Sequence, residues 1–251
     1  KRQDEGARDP HSHFPSSATQ LWAKLVAGLA LLPISYITTH PFLGAFGQPS
    51  ARAGLMTSAP LWFFSLGVAL WLIAFFGLPR PLYLYVLGHE LTHAFFVLLC
   101  GGKISSFQVR PEGGHIVSDK NNVLISLSPY FVPFYSLVVL AIFGLAGLFF
   151  DLSAYYPNSL FWGHIGFSAS WLLYICIGAT WCFHFTFTAW MILKSQPDIQ
   201  QNGTFFSLTV IYLANLLILC AMLIIVSRSV TMGGVAEIWL TNAKALISIV
   251  L

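Results

Sequence analysis

Charged residues are scarce in this chain. Asp, Glu, Lys and Arg together make up only 8% of its 251 residues, whereas a soluble domain carries about 25%. Apolar residues make up 57% and aromatic residues 16%. Because this small number of charged residues cannot cover a water-exposed surface, the composition excludes an ordinary soluble domain. It predicts an integral, multi-pass membrane protein in contact with the lipid bilayer.

The chain also lacks three features that would indicate other functions. The net charge of +3 is spread over connecting segments and forms no long basic run, so nothing indicates nucleic-acid binding. Neither the internal half-repeats nor the mid-membrane acidic clusters of a transporter are present. No CxxC pair occurs, and the cysteines lie in or at the ends of apolar runs, as expected of buried thiols. They are Cys100, Cys176, Cys182 and Cys220.

Apolar segments long enough to cross a bilayer recur along the chain, since a spanning helix needs about 20 residues. Six of them cover residues 21–43, 60–77, 81–100, 124–149, 161–193 and 205–227. A further segment, 234–251, carries Glu237 and Lys244 and is equally typical of an interfacial helix. The predicted fold is therefore an all-α polytopic membrane protein with about six transmembrane helices, or seven if the last segment spans.

One connector has a structure of its own. After the third span, GGKISSFQVRPEGGHIVSDKNN reads as two short alternating strands around the turn PEGG. An open strand edge cannot face lipid, so this hairpin should lie at the surface or pack against protein.

The third span contains LYVLGHELTHAFFVLL, in which polar groups stand at membrane depth. Such groups are costly and commonly functional. HELTH matches HExxH, in which His89 and His93 share one helical face and can bind one zinc ion. Glu90 would then be the general base that activates the zinc-bound water. The alternative interpretation is that the two histidines and Glu90 only hydrogen-bond to one another and to neighbouring helices.

A catalytic zinc usually has three protein ligands, so a third must come from elsewhere. His184 is the first candidate: if successive spans alternate in direction, the third and fifth run parallel. His184 then lies about 14 Å inside the same end as His89 and His93. Asp198, in QPDIQQNG, is the alternative, and it requires its polar connector to fold back into the membrane. The remaining candidates belong to the hairpin region: Glu112, His115 and Asp119.

The HExxH helix and the hairpin that follows it resemble the site-2 protease family of intramembrane zinc metalloproteases. HELTHAFFVLLCGGKISSFQVRPEGGHIV has the family's order of motif helix and hairpin, and SLSPYFVPFYS resembles the start of its next helix without the usual asparagine. The family typically takes its third zinc ligand from an aspartate in a PxxLDG or NPDG segment, and QPDIQQNG is the closest text here. The resemblance covers about residues 80–200.

The resemblance implies a zinc-dependent endopeptidase that hydrolyses a peptide bond in or near a transmembrane segment of a membrane-protein substrate, with Zn2+ as cofactor. The hairpin edge at 103–118 is a candidate for pairing with an extended substrate strand. The main alternative is an inactive relative that acts as a membrane scaffold or chaperone, and a transporter is a weaker one. The sequence does not indicate an oligomeric state.

Four regions follow from this interpretation. Residues 1–20 form a polar, mobile tail, residues 21–79 supply accessory transmembrane helices, residues 80–200 form the metalloprotease core, and residues 201–251 add C-terminal transmembrane and interfacial helices.

Overall fold

The computed structural model describes residues 17–47, 54, 56–157, 166–194, 196–226 and 230–250. Of the predicted polar tail at 1–20, residues 1–16 lie outside the described residues, and the rest enters the first helix. The long helices are α1 (Ala18–Gly47), α2 (Ala59–Gly77), α3 (Leu82–Leu99), α5 (Phe134–Ala146), α6 (Ala169–Ile192), α8 (Thr204–Val226) and α9 (Met232–Val250). Two short helices are α4 (Val123–Leu127) and α7 (Pro197–Gln201). The strands are β1 (Ile104–Arg110), β2 (Gly113–Ser118), β3 (Tyr155–Pro157) and β4 (Gly166–Ser168).

Five of the described helices are long and apolar enough to cross a membrane: α1, α2, α3, α6 and α8. The pair Val123–Tyr130 and Phe134–Ala146 meets the same criteria only when taken together, and it is bent by 78°. The count is therefore five, or six if the bent pair is one span, and α9 is not among them. The mostly helical, polytopic architecture predicted from the sequence is confirmed at this level.

The predicted fourth span, 124–149, is interrupted. Helix α4 passes into a 3₁₀ turn at Ser128–Tyr130, and α5 begins only after Pro133. Proline has no backbone N–H to donate and disfavours helical geometry in the residue before it, here Val132. The interruption turns the backbone at Phe131 and Val132, and this turn holds Ile125 and Tyr130 beside α3, as described below.

Helices α2 and α6 pack along their length in the same direction. Three aromatic pairs connect them in ascending order along both helices, with ring centroids 4.7, 4.9 and 5.6 Å apart: Phe63–Trp171, Trp71–Phe183 and Phe75–Phe187. Gly67 and Gly178 permit the close approach, because a Cβ atom at either position would overlap the backbone of the facing helix.

This parallel packing corrects the topology assumed from the sequence. If α3 and the bent segment each crossed the membrane fully, α2 and α6 would run in opposite directions. If α2 and α6 both span the membrane, the chain between them therefore makes an odd number of crossings. Moreover, Tyr85 near the start of α3 stacks on Phe187 near the end of α6, with centroids 4.8 Å apart. The assumption that the third and fifth spans run parallel, with their carboxyl ends together, is wrong.

The predicted hairpin is confirmed. Strands β1 and β2 pair antiparallel, with Phe107 opposite Ile116 and Val109 opposite Gly114. The hairpin packs on α3, and a Cβ atom at position 114 would lie 2.6 Å from Cγ of Glu90. Only glycine allows strand β2 to approach Glu90 this closely.

Candidate metal centre

Three side chains that can bind a metal converge between α3 and the short helix α7. Nε2 of His89 lies 3.2 Å from Nε2 of His93. Oδ2 of Asp198 lies 3.4 Å from the first nitrogen and 3.5 Å from the second. Within the described ranges, this is the cluster of histidine, cysteine and acidic side chains whose ligand atoms come close enough to hold one metal ion.

Asp198 reaches the histidines because the connector after α6 folds back onto the helices. Ile199, only 3% exposed, anchors α7 in an apolar cluster with Leu127, Tyr130 and Ile211. Burial of such a side chain contributes about 1.5–3 kcal/mol. The connector therefore folds inward, as Asp198 needs in order to reach the histidines, and burial of the Ile199 side chain stabilises this conformation.

Hydrogen bonds of Asn202 hold the C-terminal end of α7 in place. Its side chain is 5% exposed, and its Nδ2 donates to Oγ of Ser126 at 2.6 Å and to the Asp198 carbonyl at 3.0 Å. Its Oδ1 accepts a hydrogen bond from Nζ of Lys24 on α1 at 2.7 Å. The turn that carries Asp198 is thus tied both to α4 and to α1.

The spacing of the three ligand atoms fits zinc. Zinc bonds to nitrogen and oxygen of about 2.0–2.2 Å at tetrahedral angles place neighbouring ligand atoms about 3.3–3.5 Å apart. The observed separations of 3.2, 3.4 and 3.5 Å lie at or close to that range. Two imidazoles and one carboxylate also leave a fourth position open, as catalytic zinc sites require.

Hydrogen bonds around the cluster orient the three candidate ligands. Nδ1 of His93 lies 2.8 Å from the Ile125 carbonyl, which can only accept, so Nδ1 carries a proton and leaves Nε2 as the nitrogen that can bind a metal. Nδ1 of His89 lies 3.3 Å from the Tyr85 hydroxyl. The hydroxyl of Tyr130 donates to Oδ2 of Asp198 at 3.1 Å. In their neutral forms with Nδ1 protonated, both imidazoles would turn the lone pair of Nε2 toward Oδ2 of Asp198, an arrangement that a cation between them would stabilise.

The protonation state of the Asp198 carboxyl group also favours metal binding. Burial raises the pKa of its carboxyl, but hydrogen bonds from the Nε2–H groups that His89 and His93 carry when no metal is bound outweigh burial and hold the pKa of Asp198 well below its ordinary value. The carboxyl is therefore ionised at neutral pH, which is the form that binds metal.

Glu90 follows the candidate ligand His89 directly in α3 and is 6% exposed. Its side chain contacts Gly114 of strand β2. The hairpin therefore covers the residue that the HExxH pattern identifies as the general base, and it limits the positions that the carboxyl group can take.

The structure brings together His89, His93 and the alternative ligand Asp198, and His184 is outside this group. His184 instead lines a small cavity next to the site, together with Tyr85 and His89. The hairpin residues Glu112, His115 and Asp119 are also outside the group. Asp119 accepts a hydrogen bond from the backbone N–H of Lys103 at 2.6 Å, which is a structural role.

Two residues that support the cluster were not predicted. Tyr130 and Asn202 contact Asp198 from the 3₁₀ turn and from the end of α7. The sequence contains a weak signal for Asn202, since it lies four residues after Asp198, where a side chain can reach back to the carbonyl across one helical turn. Nothing in the sequence places Tyr130 near residue 198.

Similarity to known proteins gives no independent indication of function. No family model, curated protein or solved structure matches the chain. The functional interpretation therefore depends on the residues themselves, above all on the convergence of His89, His93 and Asp198 on one point of an apolar helix bundle.

Proposed function

We propose that the protein is a zinc-dependent intramembrane endopeptidase. It would hydrolyse a peptide bond in or near a transmembrane segment of a membrane-protein substrate. The observation that carries the proposal is the separation of 3.2–3.5 Å between the ligand atoms of His89, His93 and Asp198, with Glu90 next in sequence to the first of them. Asp198 follows Pro197, as the aspartate of the NPDG segment does in the family that the HExxH region resembles.

Each residue has a role in this proposal. His89, His93 and Asp198 would hold Zn2+, which when bound acts as a Lewis acid on the scissile carbonyl and lowers the pKa of water. Glu90 takes one proton from the attacking water and later gives it to the leaving amine. The water oxygen and the remaining proton enter the new carboxyl group, so the peptide and one water yield one carboxylic acid and one amine.

The position of the site restricts the substrate. His89 lies seven residues into α3, about 10 Å along the helix from its start. A substrate helix must unwind there, because its carbonyls are otherwise engaged in helical hydrogen bonds. Among the described strands, β1 and β2 pair only with each other, so each has a second edge that an extended segment could join.

Replacement of Glu90 tests the proposal. The full chain is purified in detergent, its zinc is measured by mass spectrometry, and a model transmembrane substrate is analysed for cleavage. We expect Glu90→Gln to keep zinc and lose cleavage, while the exposed turn variant Glu112→Gln keeps both. Undiminished cleavage in Glu90→Gln would refute the protease assignment. Binding of the substrate without zinc or cleavage would instead support an inactive scaffold.

A further inference from the structure

Helix α6 carries two buried polar atoms that have no hydrogen-bond partner within the described part of the chain: Nε2 of His184 and Oγ1 of Thr188. The two residues are four apart, so they lie on one face of the helix. Neither is needed for the metal group described above.

Other threonines of the same helix behave differently. Thr180 and Thr186 donate to the carbonyls four residues earlier, at 2.7 and 2.8 Å. This bond is the ordinary way in which a helix satisfies a buried threonine. The hydroxyl of Thr188 does not make it, although the residue is only 7% exposed. The unsatisfied hydroxyl is therefore a particular property of Thr188.

His184 borders a cavity that adjoins the metal centre. The cavity has a volume of about 20 Å³, enough for about one water molecule. Its wall includes the ligand His89, its neighbour Tyr85, and Pro129 and Val132 of the bend. A polar group entering from the metal centre would thus meet the face of α6 that carries His184.

Unpartnered polar atoms destabilise a protein. A single water in the cavity at His184 would not satisfy both atoms, because Thr188 is not part of the wall of that cavity. A partner that binds to these atoms only when the protein acts on its substrate would explain why the chain has unpartnered polar groups at these positions. An unwound substrate segment is such a partner, since each of its peptide groups has lost a helical hydrogen bond. An imidazole nitrogen and a hydroxyl can each donate or accept, and so can pair with either a backbone N–H or a carbonyl.

We propose that His184, in the wall of the cavity next to His89, and Thr188, one turn further along α6, form a subsite that binds the backbone peptide groups of an unwound polypeptide. The cavity holds about one water molecule, so the peptide enters only when the bend at Pro129 and Val132 moves away from α6. The inference rests on the proposed protease function and deepens it, because it gives His184 a role in substrate binding rather than in metal ligation. The subsite recognises backbone, so it favours segments that leave the helical conformation easily over segments of a particular sequence.

Binding of a defined probe tests the subsite without requiring catalysis. The probe is a fluorescent synthetic apolar peptide of transmembrane length with a central Gly-Pro pair, and its Kd is measured by anisotropy against the full-length Glu90→Gln protein. Two substitutions remove the polar atoms: Thr188→Val nearly keeps the volume, and His184→Phe keeps an aromatic ring. The matched control is Thr209→Val, since Thr209 is also 7% exposed but donates to the Phe205 carbonyl at 2.9 Å.

We expect the Kd of the peptide to rise about tenfold in Thr188→Val and in His184→Phe, as for loss of one hydrogen bond. The Kd stays unchanged in Thr209→Val. Zinc content stays unchanged in all three variants. The thermal midpoint of Thr188→Val does not fall, because the substitution removes an unsatisfied buried hydroxyl; a merely structural threonine would give a lower midpoint.

Three results would overturn the subsite: an unchanged Kd in both test variants, loss of zinc in His184→Phe, or a lower thermal midpoint in Thr188→Val with an unchanged Kd. Failure of the protease proposal gives a different pattern, in which the parent chain with Glu90 intact neither holds zinc nor cleaves. In that case, the Kd values of the peptide for the variants can still be compared and still test the subsite.

Discussion

Asn202 offers a way to weaken the proposed metal centre without changing a ligand. The Asn202→Ala variant loses the donors to Ser126 and to the Asp198 carbonyl and the acceptor for Lys24, which all lie within 3.0 Å. Removal of such a supporting residue typically lowers metal affinity 10- to 100-fold. That change corresponds to about 1.4–2.7 kcal/mol. Because α7 then holds Asp198 less firmly, we expect the Kd for zinc to rise within this range.

The assay is competition for zinc against a chromophoric chelator, with circular dichroism to establish that the variant is folded. Asn121→Ala is the control, because Asn121 bonds to Gln201 on the same short helix at 3.3 Å but is exposed. Its zinc affinity should stay close to that of the unaltered chain. A folded Asn202→Ala protein whose Kd for zinc differs less than twofold from that of the unaltered chain would refute the reasoning.

Two glycine substitutions give further predictions. Gly114→Ala places a Cβ atom 2.6 Å from Cγ of Glu90 and should therefore displace the Glu90 carboxyl group. We expect the rate of substrate cleavage to fall at least about tenfold while the zinc content is kept. A normal cleavage rate would show that the hairpin does not position Glu90. Gly67→Ala overlaps the Ile175 carbonyl and should destabilise the protein by about 1–3 kcal/mol, measured as a lower thermal midpoint. Gly144→Ala, which meets no atom within 4 Å, is its control, and equal midpoints for the two variants would contradict the tight α2–α6 packing.

The local features of the fold could be predicted from the sequence. Long apolar runs determine where α2, α3 and α8 begin and end, because helix length in a membrane is set by bilayer thickness. The alternation on either side of PEGG determines the hairpin. The proximity of His89 and His93 follows from helical geometry alone, since residues four apart share a face.

Features that depend on distant contacts could not be predicted in this way. The interruption at Val132 and Pro133 bends the predicted fourth span by 78°, so a count of straight spans gave α6 the wrong direction relative to α3. The connector after α6 has a polar sequence, which by itself predicts an exposed loop. It folds back toward His89 and His93 because Ile199 packs into an apolar cluster formed by three other segments of the chain. The sequence therefore identified Asp198 as a candidate ligand but could not show that it reaches the histidines.

Zinc retention in Asp198→Ala beside His184→Ala tests the central claim most directly. Both residues were candidates for the third ligand, and the structure brings only Asp198 within 3.5 Å of a histidine nitrogen of the cluster. The two purified variants are dialysed against the same limiting chelator, and bound zinc is measured by mass spectrometry. The account predicts that Asp198→Ala loses its zinc and that His184→Ala retains it. Retention in Asp198→Ala together with loss in His184→Ala would contradict the proposed metal centre.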